Sequence, residues 1–274
     1  MNTWELIKNS LLNIRDMIYP QRIYCICCRK PIDEGHSYSL CSTCMNHIHW
    51  YDGTPLPHDE FEAYSCMSYG LYERTIVFNL KYNGNKYIAK EMAEIMHDRL
   101  ELERQVPAGH GSKGISHGED DLGHGIKSTG HGGNRESHGS SFDYDIIVPV
   151  PMHPKKQRQR GFNQAALLGE YLARLEDKEC LPQVLIRTQN TKPMRGLGAQ
   201  ARRENIKNIF ALNPKFAEEI KGKNLLLLDD IYTTGSTARE CGLVLAAAGA
   251  ATIKIFVFAA GRNDGEETLH SKKS

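Results

Sequence analysis

The stretch Leu225–Glu240, "LLLLDDIYTTGSTARE", passes from four leucines through two adjacent carboxylates into a run of small and hydroxylated residues. Leu225–Leu228 carries no polar side chain, which predicts a central strand buried on both faces. Asp229 and Asp230 close that strand and, by strand alternation, point to opposite sides. Thr233-Thr234-Gly235-Ser236-Thr237 then opens a helix, whose first N–H groups and positive dipole end suit a phosphate. Gly235 lets the backbone approach closely, and the hydroxyls add donors. Carboxylates this near would repel a phosphate unless they serve another part of the same ligand. A sugar phosphate meets both conditions, with its hydroxyls on the acids and its phosphate in the turn. An ordinary capped βα turn needs one capping residue, not two acids followed by five small residues.

Outward from this stretch, strand and helix patterns alternate. "YDIIVPVPM" (144–152) reads as a buried strand and "GFNQAALLGEYLARLE" (161–176) as a helix. "PQVLIRTQ" (182–189) reads as a strand leading into a polar loop. "STARECGLVLAAAGA" (236–250) reads as a helix and "TIKIFVFAA" (252–260) as a strand. This alternation predicts an α/β fold with a parallel sheet and right-handed crossovers, whose ligands bind at the carboxyl ends of the strands. We assign residues 142–262 to that core. Residues 51–106 form a preceding α/β segment of the same domain, where 61–105 reads as strand, helix, a Gly84-Asn85 turn and a second helix.

Three further segments differ in character. In residues 1–19, Trp4, Ile7, Leu11, Ile14 and Ile18 follow helical spacing, which predicts an amphipathic helix packed on the chain's own core or on a partner. The segment lacks the apolar centre of a signal peptide. No run approaches the ~18 apolar residues of a membrane span, so no stable membrane insertion is expected and the cytoplasm is the expected compartment. Residues 107–141 are Gly, Ser and charge, a composition that predicts disorder. His110, His117, His124, His131 and His138 recur there every seven residues, each followed by Gly, and glycine opposes a helix. The repeat has no second ligand at fixed spacing, which favours a linker lengthened by duplication over a metal-gathering tract. Residues 263–274 read as a disordered tail.

Residues 20–50 are rich in cysteine. Cys25-x-x-Cys28 and Cys41-x-x-Cys44, twelve residues apart, offer four thiolates for a closed tetrahedral Zn²⁺ site, structural rather than catalytic because no coordination position is open. Cysteines without an export signal suit a reducing compartment. Cys66, Cys180 and Cys241 stand alone and read as buried or inert.

The net charge of +1 shows no global preference for polyanions, yet between Pro149 and Ile209 twelve Lys and Arg face five Asp and Glu. Lys155, Lys156, Arg158 and Arg160 crowd just past the first core strand. Arg187, Lys192, Arg195, Arg202 and Arg203 lie in or beside the next long loop. Such charges can stabilise a departing pyrophosphate, attract a polynucleotide backbone, or form a solvated face. Phe162, in "RGFNQ", can stack a base or pack.

"LLLLDDIYTTGST" resembles the phosphoribosyl pyrophosphate (PRPP) signature of type I phosphoribosyltransferases. "VPVPMHPKKQRQRGFNQA" and "RTQNTKPMRGLGAQARRENIKNIF", with the cysteines near the start, are similar to the ComF/GntX-like family, associated with DNA uptake and competence. The resemblance covers roughly residues 20–105 and 142–262. It implies that Asp229 and Asp230 hold the ribose hydroxyls and Thr233, Thr234, Gly235, Ser236 and Thr237 the 5′-phosphate. It further implies a pyrophosphate site after strand Ile146–Val150, with Lys155 and Arg160, and a mobile catalytic flap near Thr191–Arg202, with Arg195 and Arg202. Mg²⁺ is implied as the bridge between pyrophosphate and ribose oxygens. The implied activity is Mg-dependent transfer of phosphoribose to an acceptor the sequence does not identify. The competing reading is a non-catalytic PRPP or nucleotide sensor that binds single-stranded DNA. PRPP, single-stranded DNA and other competence proteins are the implied partners.

Overall fold

The computed structural model describes residues 23–32, 36, 38–58, 60–82, 87–105, 142–189 and 208–261. They fall into two units that divide between His47 and Ile48. The sequence-predicted helix at 1–19, the 107–141 repeat and the 263–274 tail lie outside the described residues. In the smaller unit, Tyr24 bridges Pro31 in antiparallel fashion, and a single turn of helix, α1 (Ser42–Met45), follows Cys41.

The larger unit holds β1 (Glu62–Ser68), α2 (Leu71–Tyr82), α3 (Tyr87–Gln105), β2 (Ile146–Pro149), α4 (Pro154–Arg160) and α5 (Gln164–Glu176). Then come β3 (Glu179–Cys180), β4 (Leu185–Arg187), β5 (Phe210–Leu212), α6 (Ala217–Ile220), β6 (Asn224–Tyr232), α7 (Ser236–Ala247) and β7 (Thr252–Ala260). Five strands form one sheet in the order β1-β7-β6-β2-β3, and every neighbouring pair is parallel. This is the predicted parallel α/β sheet. Two details differ from the sequence reading. The strand in "PQVLIRTQ" is not part of that sheet, because β4 pairs antiparallel with the three-residue β5. The strand read within 61–105 is β1, which joins the main sheet through β7.

β6 lies between β7 and β2, and Leu225 to Leu228 are fully buried. Leu225 and Leu227 enter a cluster with Cys241 and Leu245 of α7, so Leu226 and Leu228 face the other side. On α5, Gly169 allows close packing on the sheet. A Cβ there would lie 2.9 Å from Pro149 Cγ and 3.0 Å from Cys180 Sγ.

The helices α3 and α5 pack on one another and share a polar network. Glu176, the last residue of α5, has a side chain only 2% exposed. Its Oε1 lies 2.5 Å from His97 Nδ1, and its Oε2 accepts from Tyr144 Oη at 2.8 Å and from Arg104. Burial alone would raise the Glu176 pKa, but the bonds from Arg104, His97 and Tyr144 outweigh it and hold it below the usual carboxylate value. This network fastens α3, and the segment carrying α2, to the core.

Removing that carboxylate is predicted to weaken the fold. Glu176→Gln should lower the unfolding free energy at neutral pH by roughly 1.5–3 kcal/mol in urea denaturation, the range for hydrogen bonds to a charged group. A depressed carboxylate stabilises above its unfolded pKa of ~4.3, and that contribution fades as pH falls through the folded value. The gap between parent and variant should therefore shrink on acidification. A gap that holds constant down to pH 3 contradicts the network's assigned role.

Candidate functional site

The ladder of β6 continues through the two acids. Asp229 pairs with Val257, Ile231 with Ala259 and Tyr232 with Ala260, so the acids sit inside the strand rather than at its end. The apolar run Val257–Ala260 keeps the pairing going. The chain then turns sharply at Thr233–Gly235. Gly235 is required on two counts: its φ is +69°, and a Cβ there would lie 2.3 Å from the Tyr232 hydroxyl. That hydroxyl is fixed by donating to Pro57 O at 2.8 Å.

Gly235 provides no side-chain cap for α7, which leaves the first amides of that helix without an internal partner. Thr234 Oγ1 and Ser236 Oγ lie 2.9 Å apart and bond to one another. Asp229, Thr233, Thr234, Gly235, Ser236 and Thr237 line a single shallow cleft open to solvent.

The two carboxylates have separate surroundings. Asp230 is 8% exposed, and its Oδ2 lies 2.6 Å from Lys81 Nζ at the last turn of α2. Burial would lower the Lys81 pKa, but the Asp230 charge and hydrogen bond outweigh it and raise it. Asp229 bonds through Oδ1 to the Asp230 amide at 2.8 Å. Its pKa is driven well above the ordinary carboxylate value, first by desolvation and then by the adjacent Asp230 charge.

Basic residues approach from the other elements. Arg187 of β4 feels the Asp229 charge, while its own burial lowers its pKa. Lys156 is lowered by burial and then by the neighbouring charges of Arg187 and Arg160. Lys155 and Arg160 lie on α4, whose start is capped by His153 Nδ1 accepting from the Lys155 amide at 3.1 Å. Arg160 sets its guanidinium 5.5 Å from the Tyr82 ring centroid. Among the described residues, none of the four cations of α4 pairs with an acidic side chain.

Arg195 and Arg202, with the rest of the sequence-predicted flap, lie outside the described residues. Phe162 is 9% exposed, so it packs rather than stacking a base. The sequence reading missed Lys81 altogether and met Arg187 only as one charge in the basic window. A lysine one turn after the buried Val77, on the apolar stripe of α2, was the available signal.

In the smaller unit, the sulfurs of Cys25, Cys28, Cys41 and Cys44 lie within 4.8 Å of one another. Cys28 and Cys41 sulfurs are 3.7 Å apart, close to the edge of about 3.8 Å in a tetrahedron with Zn–S bonds of ~2.3 Å. The donor set therefore fits a tetrahedral zinc ion. The first knuckle is set by a turn in which the Arg29 amide donates to Cys25 O at 2.9 Å and Arg29 takes φ 62°. Cys41 precedes α1 and Cys44 lies within it. Cys27 is not part of the cluster, and burial pushes its thiol up to about 11. Cys66 and Cys241 are fully buried.

The phosphoribosyl transferase domain family matches residues 170–274. Competence protein F of Haemophilus influenzae is 38% identical over 112 residues, 41% of this chain and 48% of the relative. DNA utilization protein YhgH of Escherichia coli O157:H7 is 24% identical over 256 residues, 85% of this chain and 94% of the relative. Competence protein ComFC of Bacillus subtilis is 37% identical over 92 residues, 34% of each chain. The chain thus matches about half the length of competence protein F and nearly all of YhgH. Among the described residues no helix is long and apolar enough to cross a membrane. These relatives, the phosphoribosyl transferase match and the four-cysteine cluster bear out the resemblance to the ComF-like family.

Proposed function

We propose that the larger unit binds PRPP at the carboxyl end of β6 and transfers its phosphoribosyl group to an acceptor, in a role tied to DNA uptake. The observation that supports this reading best is the cleft that joins the Asp229 carboxylate to the uncapped start of α7. A ligand filling it must carry both hydroxyl donors and an anion. The relatives' names, competence and DNA utilization, supply the link to DNA uptake.

In this reading the amides and hydroxyls of Thr233–Thr237 hold the 5′-phosphate, and Asp229 and Asp230 accept from the ribose hydroxyls. Asp230 can share Lys81 with a hydroxyl, because a carboxylate offers about four lone-pair positions. Lys155 and Arg160 of α4, with Arg187 beside Asp229, meet the pyrophosphate. Arg195 and Arg202 retain the catalytic flap role that the family resemblance implies. The reaction breaks the C1–O bond, and pyrophosphate leaves with the electron pair. A new bond forms from C1 to the acceptor, which gives up a proton. Cations fixed in place stabilise the departing charge without reorganising.

Asp229 and Asp230 beside substrate oxygens would suit Mg²⁺, which prefers few protein ligands and would supply charge neutralisation at the pyrophosphate. The four-cysteine cluster is read as a structural zinc site. A second reading, a PRPP or nucleotide sensor that binds single-stranded DNA without catalysis, draws on the cations of α4, which pair with no acid among the described residues.

Isothermal titration with PRPP and Mg²⁺ tests the main reading. The parent should bind, and Asp229→Asn with Asp230→Asn should weaken binding by roughly 1.5–3 kcal/mol for each charge-assisted bond lost. Equal affinity in the double variant would reject the ribose assignment. Pyrophosphate release in an acceptor screen then separates transferase from sensor. For zinc, native mass spectrometry should find one ion per chain in the parent and none in Cys41→Ser. Full occupancy in that variant rejects the four-cysteine assignment.

A further inference from the structure

One aromatic surface of the larger unit meets the site described above only through Arg160. Phe78 and Tyr82 sit one turn apart on α2 and are 51% and 57% exposed. Their rings meet at 4.6 Å between centroids with a 35° tilt. A contact between neighbouring turns steadies a helix only slightly, and it leaves both rings largely in water. Arg160 of α4 adds its guanidinium 5.5 Å from the Tyr82 centroid. The three groups form one assembly that joins α2 to the basic helix.

Its position links it to the candidate PRPP site. Tyr82 follows Lys81, whose ammonium holds Asp230. Tyr69 senses Lys81, Asp230 and Tyr82 together, although burial has the largest effect on its phenol. The surface therefore borders the acid that is assigned to the ribose.

We propose that Phe78, Tyr82 and Arg160 form a stacking site for a base of single-stranded DNA, next to the PRPP cleft and dependent on that reading only for its role. Flat aromatic and guanidinium groups stack on the face of any base, while flanking cations follow the phosphates. Lys155 and Arg158 are exposed on α4 and supply more positive charge than a free base needs. That excess favours a strand over a mononucleoside. It also favours a nucleic acid over an apolar protein partner, which would gain little from a row of cations.

Fluorescence anisotropy with the full zinc-loaded chain and a labelled oligo-dT of about 20 nucleotides tests this. Tyr82→Ala and Phe78→Ala should each lose about five-fold or more in affinity, the effect of one lost stack. Tyr82→Trp should keep parental affinity, and an abasic strand of equal length should bind weakly and not respond to the ring changes. Leu71→Ser, on the same helix face and 73% exposed, should leave DNA affinity unchanged. The proposal is overturned if the parent fails to bind at low salt or if the ring variants bind normally. It is equally overturned if Tyr82→Trp fails to restore binding or if Leu71→Ser loses as much as Tyr82→Ala. Ring-dependent binding of thymidine with strand binding unaffected would overturn the strand assignment in favour of a free base. PRPP titration of the same proteins keeps the two readings apart. Absent PRPP binding with ring-dependent DNA binding would remove the transferase reading and leave the stacking site standing.

Discussion

The strand Leu225–Leu228 is covered on both faces, and that burial governs what happens at the two acids which follow it. Alternation sends their side chains to opposite sides of the sheet, so the two carboxylates have different immediate surroundings. Asp230 emerges toward α2 and meets Lys81 at 2.6 Å. Asp229 emerges toward the cleft, where Arg187 lies within its field but desolvation still dominates. The result is one neutralised carboxylate and one that holds its proton more tightly than an ordinary acid.

That asymmetry comes at a cost to the fold and suits a binding site. An acid whose folded pKa is raised favours the protonated native state, so its contribution to stability declines as pH rises from the unfolded value toward the folded one. A protein under no functional demand would keep an amide or an apolar residue at Asp229. Perturbed carboxylates of this kind cluster where ligands bind. The turn after Tyr232 shows a similar compromise. Its positive φ at Gly235 and the Tyr232 hydroxyl beneath it exclude any side chain, and the helix start that follows lacks a side-chain cap. The network around Glu176 fastens α3 to α5, and α2, which carries Lys81, packs on α3.

Much of the site was legible because its signals are local. Four leucines, two acids and a small-residue turn specify strand, reversal of chain direction and helix start within sixteen residues. The two cysteine knuckles are local in the same sense. What was not legible depends on distant pairing. β1 enters the main sheet only through its register with Lys254–Ala260, and β4 leaves the sheet because its partner is the three-residue β5. Lys81 is marked only by its place on the apolar stripe of α2, since the carboxylate that draws it inward lies far along the chain. The helix Pro154–Arg160 has no apolar period to reveal it. Its marks were Pro154 at the first turn, a His153 cap and a left-handed Gly161 at the end.

A crystal structure of the protein with PRPP and Mg²⁺ tests the central claim most directly. The 5′-phosphate should lie within hydrogen-bonding distance of the amides and hydroxyls of Thr233–Thr237. Ribose hydroxyls should lie on Asp229 and Asp230, with Lys81 sharing or releasing Asp230, and the pyrophosphate should face Arg187 and α4. PRPP bound elsewhere, or in the cleft with its phosphate away from the Gly235 turn, would contradict it.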